Sequence, residues 1–246
     1  MKVALVTGGG SGIGLATSLI LVDRGYKVVR VDKVLDFIIT TGAGRIYDFI
    51  CDLSRRNEIV RLFKLLSKEF KRLDFLVINA GVHCAKSITT ASDEDFDYSV
   101  AVNLAAPFYC MKYALPLIVR QGGSIVSVGS DVYSLPDKDA PLYTATKTGM
   151  VALTRAAALE WGAKGVRINA VCPGATDTPF LRNAFGNDAE AVEACRNLNP
   201  LRRIATPEEI AKVIVFVGLD ATFVNGAAWP VDGGYTVQGG AEPPKI

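Results

Sequence analysis

The chain has 246 residues, half of them hydrophobic and 21% charged, with a net charge of +2. That length suits one α/β domain, and with no basic block there is no electrostatic footprint for nucleic acid. No apolar run reaches the ~18 residues of a membrane span; five cysteines with no C-x-x-C pair read as reduced thiols of a cytoplasmic protein, and a single histidine, His83, leaves no expected metal site.

The first apolar run, "KVALVT" (2–7), ends in glycines and reads as a buried strand rather than a signal peptide. It leads into "TGGGSGIG" (7–14), after which a helical pattern begins. Glycines let a backbone approach a pyrophosphate, and the helix that follows aims its free N–H groups at the charge. The spacing Gly8, Gly12, Gly14 is G-x-x-x-G-x-G, and no Gly-Lys-Ser/Thr follows to make a P-loop. Such a turn can be merely structural, but its place between strand and helix favours a nucleotide. Asp32 ends the second run, "KVVRVD" (27–32), 18 residues after Gly14. An acidic residue near that spacing binds the adenosine ribose hydroxyls and repels the 2′-phosphate of NADP. NAD is therefore expected, although Arg30 and Lys33 flank Asp32 and leave some tolerance of NADP open.

Further strand-like runs are "RIYDFIC" (45–51), "DFLVIN" (74–79), "SIVSVG" (124–129), "RINAVC" (167–172) and "AAWPVD" (227–232). Helical patterns separate most of them, which predicts a doubly wound, seven-stranded parallel sheet covered on both faces in a single domain. The connection 33–44 is barely long enough for a crossover, so its helix is expected to be a stub or missing. In 57–71, Ile59, Leu62, Phe63, Leu66 and Phe70 recur on one helical face. One long helix is expected over 92–119, opened by a Ser-x-x-Asp cap and kinked or ended at Pro107 and Pro116. An Ala-rich helix is expected over 143–162, closed by Gly162 and Gly165. Residues 175–206 read as a mobile lid with one short helix within 182–197. A last helix starts at Thr206 and Pro207, and 239–246 reads as a loose tail.

"YTATK" (143–147) puts Tyr143 and Lys147 on one helical face, and only this one of the eight tyrosines has a lysine at i+4. A nearby ammonium favours the phenolate, which makes a usable proton carrier. The spacing alone is weak evidence, since two common residues meet at it by chance.

With the glycine loop, "CDLS" (51–54), "NAG" (79–81), Asn103, Ser130 placed 13 residues before Tyr143, "YTATK" and "PGATDT" (173–178) in this order, the chain resembles the short-chain dehydrogenase/reductase family over nearly its whole length. Three departures stand out: Ile78 where the family often has Asn, "SVGS" (127–130) where it often has Asn-x-Ser-Ser, and the shortened second helix.

The resemblance implies a Rossmann-like fold and an enzyme that moves hydride between NAD(H) and a secondary alcohol or ketone. Tyr143 is then the general acid/base. Lys147 lowers its pKa and bonds the nicotinamide ribose, Ser130 donates to the substrate oxygen, and Asn103 holds a water that relays protons. The nucleotide would be bound by Gly8, Gly10, Ser11, Gly12, Ile13, Gly14, Asp32, Asp52, Leu53, Asn79, Ala80, Gly81, Pro173, Gly174, Thr176 and Thr178, besides Tyr143 and Lys147. His83, Asp131, Tyr133 and Phe180, with Leu135 and Leu181, are the candidates for touching substrate. A homotetramer or homodimer is expected, packed through 92–119 and 143–162. Two alternatives stand beside this reading: an NADPH-dependent reductase in biosynthesis, and a non-catalytic NAD(H)-binding sensor or scaffold. Asp32 opposes the first, and an intact set of Asn103, Ser130, Tyr143 and Lys147 opposes the second.

Overall fold

The seven apolar runs form strands in a computed structural model that describes residues 1–35, 45–120, 122–184, 186 and 188–239. They are β1 (Val3–Thr7), β2 (Lys27–Asp32), β3 (Arg45–Ile50), β4 (Phe75–Ile78), β5 (Ser124–Val128), β6 (Arg167–Pro173) and β7 (Ala228–Val231). All pair in parallel, in the order β3-β2-β1-β4-β5-β6-β7. The order reverses between β1 and β4, where the loops leaving the two strands diverge and open a crevice at the carboxyl edge of the sheet.

The alternation of side chains along β1 divides the core in two. Val3 and Leu5 face one layer, with Ile59, Leu62, Phe63 and Leu66 of α2 (Arg56–Glu69) and the small residues of α4 (Ala106–Ile118) and α5 (Pro141–Gly162). Ala4 and Val6 face the other, with Leu21 and Val22 of α1 (Gly12–Asp23) and Ile210 and Ile214 of α8 (Pro207–Val215). Strands covered on both faces read as unbroken apolar runs, which is why they are legible in the sequence.

The expected long helix over 92–119 is instead three pieces: α3 (Asp93–Val100), a π-helical turn (Ala101–Ala105) and α4. Pro107 has no N–H to give the carbonyl of Asn103 four residues back, so the regular ladder cannot run through this point. Pro116 lies inside α4, which continues to Ile118.

The stretch 175–206 has the short helix expected within 182–197 and one more before it. It holds two short helices, α6 (Pro179–Ala184) and α7 (Ala189–Ala194), followed by a 3₁₀ turn (Cys195–Leu198). Two caps explain the pair. Thr178 Oγ1 accepts from Leu181 N at 3.2 Å, and Asp188 Oδ1 accepts from Glu190 N at 2.9 Å. The expected helical stub over 33–44 and the tail 239–246 lie largely outside the described residues. Among the described residues, no helix is long and apolar enough to cross a membrane.

Candidate active site

The ends of β1 and β4 are tied together before any ligand is considered. Thr7 Oγ1 accepts from the backbone N–H of Asn79 at 2.9 Å, and Asn79 Nδ2 donates to the carbonyls of Thr7 and Gly8 at 3.1 and 3.0 Å. Gly14 starts α1 so close beneath this loop that a Cβ there would collide with the Gly8 carbonyl and lie 2.6 Å from Asn79 Nδ2. Gly12 adopts φ +48°, and a Cβ on it would meet Thr178 Cγ2 at 2.8 Å.

Helix α1 begins without a side-chain cap and without an acidic residue in its first turn. Both α3 and α8, by contrast, carry full capping boxes, Ser92 with Asp95 and Thr206 with Glu209. The uncapped end of α1 opens into a cleft of about 840 Å³ at Ser11, Gly12 and Ile13. Anions bind at such ends because N–H groups and the helix dipole converge there.

Asp32 lines the same cleft. Its carboxylate accepts from Gly10 N at 2.9 Å and from Lys33 N at 2.7 Å, so it also braces the glycine loop. Arg30 is 1% exposed and gripped in a two-pronged pair by Asp48, with both N–O distances at 2.8 Å. Of the two cations flanking Asp32, it is therefore held away from any phosphate, and only Lys33 stays exposed, 3.6 Å from Asp52. Asp52 and Leu53 do not line the cleft. Asp52 is bonded by Ser54, which lowers its pKa, and Leu53 is buried in the core.

At the other end, α5 sets Tyr143 and Lys147 on successive turns, 8% and 3% exposed. Lys147 Nζ donates to the Val128 carbonyl at 2.9 Å and lies 5.8 Å from the centre of the Tyr143 ring. Burial pushes the ammonium down to about 8, with the neighbouring Cys172 acting in the opposite sense. Burial also raises the Tyr143 phenol well above the ordinary tyrosine value, against a lowering by the Ser130 hydroxyl. In this state the tyrosine is a proton-bearing acid rather than a phenolate.

Ser130 Oγ donates to Asp131 Oδ1 at 2.8 Å. Asn103, on the π-helical turn, is 1% exposed and spends its side chain clamping a loop: Oδ1 accepts from Val82 N and Nδ2 donates to Val82 O, both at 2.9 Å. It lies behind the cleft wall, where a Cβ on Gly81 would sit 3.2 Å from Lys147 Nζ and 3.3 Å from Asn103 Oδ1.

Three rings meet at this end of the cleft. The His83 ring is 4.8 Å from that of Tyr143, and Phe180 on α6 lies 6.2 Å from His83 and 6.1 Å from Tyr143, centre to centre. Burial lowers the His83 pKa, opposed by Asp137, and this favours a neutral ring. Ala80, Gly81, Asp131, Leu135, Pro173, Gly174, Thr176, Thr178 and Leu181 line the cleft as well. Gly10 and Gly14 are not among its lining residues. Tyr133 does not line it; its ring packs on Val151, Ala170 and Cys172, with the Arg155 guanidinium 6.0 Å away.

The sequence reading missed Asp137, Cys195, Asn199, Asp232 and Tyr235 as cleft residues. Asp232 follows β7, so the rule that ligands gather at strand ends would have found it. Nothing local marks Cys195 or Asn199, which reach the cleft only through the folding of 175–206.

Residues 8–236 match the family described as enoyl-(acyl carrier protein) reductase. The chain belongs to the short-chain dehydrogenase/reductase family. It is 35% identical to meso-2,3-butanediol dehydrogenase of Serratia marcescens, covering 100% of this chain and 98% of that one. It is 37% identical to cyclohexanol dehydrogenase of Acinetobacter sp., over 96% and 95% of the two chains. Among solved structures, levodione reductase superposes with a TM-score of 0.91 at 31% identity, covering 96% of this chain and 98% of that one. This short-chain dehydrogenase/reductase is thus an oxidoreductase with the fold expected of its family.

Proposed function

We propose that the protein is an NAD-dependent dehydrogenase that exchanges hydride between NAD(H) and a secondary alcohol or its ketone. The observation that carries this reading is the convergence of Ser130, Tyr143 and Lys147 on one cleft whose other end is the uncapped start of α1. The relatives point the same way, since those named for their substrates include dehydrogenases of cyclohexanol, butanediol and threitol.

The residues present suit a dinucleotide. The N–H groups at Ser11, Gly12 and Ile13 would hold the pyrophosphate, and Asp32 would take the adenosine ribose hydroxyls. Asn79, Ala80 and Gly81 would line the middle of the cleft, while Pro173, Gly174, Thr176 and Thr178 would hold the nicotinamide end. When bound, the nucleotide supplies the hydride acceptor or donor.

The chain's own groups handle the proton. In ketone reduction the buried Tyr143 phenol gives its proton to the substrate oxygen, and Ser130, turning its hydroxyl from Asp131, would donate a hydrogen bond to stabilise charge developing there. In alcohol oxidation Tyr143 must first lose that proton. Lys147 would assist by turning its ammonium from Val128 toward the phenol and the nicotinamide ribose. Asn103 would serve the proton path by holding the loop at Val82 and by offering a backbone carbonyl that Pro107 cannot engage.

The carboxylate of Asp32 disfavours a 2′-phosphate, and the burial of Arg30 removes one cation that could have offset it, so NAD is preferred. An NADPH-dependent biosynthetic reductase is the second reading. It is favoured by the description of the matching family and by the likeness to a 3-oxoacyl-[acyl-carrier-protein] reductase of Thermotoga maritima at 31% identity.

The segment 175–206 acts as a lid, carrying Phe180 over the reacting end. The enzyme works in the cytoplasm as a homotetramer, or a homodimer, through α4 and α5, whose Phe108 and Leu159 are 47% and 87% exposed. Light scattering checks the assembly. The decisive experiment is a panel of secondary alcohols and ketones, assayed with NAD(H) and NADP(H) by nicotinamide absorbance. No turnover of any of them would sink the enzyme reading, and a preference for NADP would sink the assignment of Asp32.

A further inference from the structure

The dehydrogenase reading leaves one polar group at the reacting end without a task. Asp131 lies directly after Ser130, and its Oδ1 takes the Ser130 hydroxyl at 2.8 Å. The Val132 N–H also acts on this carboxylate, no other side-chain donor meets it among the described residues, and the residue lines the cleft.

The surroundings define what else the carboxylate can meet. Lys138 and Lys147 are the only cations among the described lining residues. Lys147 is engaged with Val128 O, and Lys138 is exposed. Asp137 and Asp232 add negative charge and raise the Asp131 pKa after burial has done so. Both oxygens of Asp232 are occupied, by Gly234 N, Thr236 N and Thr236 Oγ1. A carboxylate or phosphate on the substrate would thus be repelled. The rings of His83 and Phe180, beside Tyr143, add apolar surface for carbon.

We propose that Asp131 selects substrates with a second hydroxyl on the carbon next to the reacting one, so that the preferred substrate is a vicinal diol. This rests on the dehydrogenase reading. Ser130 serves the reacting oxygen, and Asp131 is one hydrogen bond from Ser130, so a neighbouring hydroxyl is the donor that falls within its reach. A simple alcohol leaves the carboxylate's remaining acceptor positions facing hydrocarbon, and a charge short of donors there opposes binding. The diol loses one hydride from carbon to NAD⁺ and one proton from the reacting hydroxyl through Tyr143. The product is the α-hydroxy ketone, with the second hydroxyl unchanged.

The test uses the full chain with NAD⁺ and matched pairs, 2,3-butanediol against 2-butanol and 1,2-cyclohexanediol isomers against cyclohexanol. The parent is expected to favour one diol stereoisomer over its mono-alcohol by at least about tenfold in kcat/KM. Asp131→Ala brings that ratio to about one, and Asp131→Asn, which keeps a neutral acceptor, gives an intermediate ratio. A parent ratio near one or below overturns the proposal, whether or not the variants fold. So does an Asp131→Ala variant that loses rate on both substrates at an unchanged ratio, since the residue would then act only by holding Ser130. Turnover of mono-alcohols alone removes the diol and leaves the dehydrogenase standing. Absence of turnover with every alcohol removes both.

Discussion

At the glycine-loop end of the cleft the walls are backbone. They come from the turn after β1, the bare start of α1 and the strand ends at Asp32 and Asn79, braced by Asn79 Nδ2 and the Asp32 carboxylate. At the other end the walls are side chains from separated stretches: His83 after β4, Asp131 after β5, Tyr143 on α5, Phe180 on α6 and Tyr235 after β7. The first end depends on close packing that tolerates no Cβ at Gly14, so it allows little variation. The second can change its chemistry one residue at a time without touching the sheet. A dinucleotide, common to many reactions, suits the first construction, and a variable substrate suits the second.

Four substitutions press on this contrast, two at each end. Tyr143→Phe is expected to lower kcat by about 10²–10⁴-fold, the usual worth of a positioned acid/base, while NADH binding followed by fluorescence stays within about twofold. Full turnover in this variant would remove the proton-transfer role. Gly14→Val drives a side chain into the Gly8 carbonyl, and NADH affinity should fall by about 2–3 kcal/mol, or about 30–150-fold. Unchanged affinity would mean that the loop can yield, contrary to its packing. Asp32→Ala is expected to shift the NAD-to-NADP ratio of kcat/KM by about tenfold toward NADP, because a carboxylate facing the 2′-phosphate is removed. A ratio that moves toward NAD would reverse the role given to Asp32.

The smallest effect is thermodynamic. Burial raises Asp131 from 3.8 to about 6, assisted by Asp232 and Asp137 and opposed by the Ser130 hydroxyl and the Val132 N–H. The folded protein therefore holds this proton more tightly than the unfolded chain does. Stability from this group is fullest below about pH 4 and is lost as pH rises through about 6. Asp131→Asn should then stabilise the protein at about pH 7.5 by about 1–2 kcal/mol, discounted because the group is partly exposed, or about 2–8 °C in Tm. At about pH 4 the gain should vanish. An equal gain at both pH values would point to packing rather than charge.

Much of this was legible because local signals carried it. The strands were readable within a residue or two, because burial on both faces makes them unbroken apolar runs. The caps at Ser92 and Thr206 were readable from side chains that bond within one turn. The π-helical turn before α4 was not, although Pro107 marked the place, because a proline does not say whether a helix bends, ends or widens. In 175–206, α6 was not expected although its cap, Thr178, stands in the sequence. Short helices have too few residues for periodicity to show.

The sequence by itself determined the sheet, its single-domain extent, the glycine turn before α1, and the facing of Tyr143 and Lys147, because each follows from neighbours within a turn or a strand. Only the tertiary structure decided that Arg30 is turned to Asp48 rather than toward a phosphate, that Tyr133 packs on Val151, Ala170 and Cys172, and that Asp131, His83 and Phe180 line one cleft with Tyr143. Those outcomes depend on which strand lies beside which and on which helix covers the crevice. The energy that sets them is spread over contacts between residues far apart in the chain, and no local pattern records it.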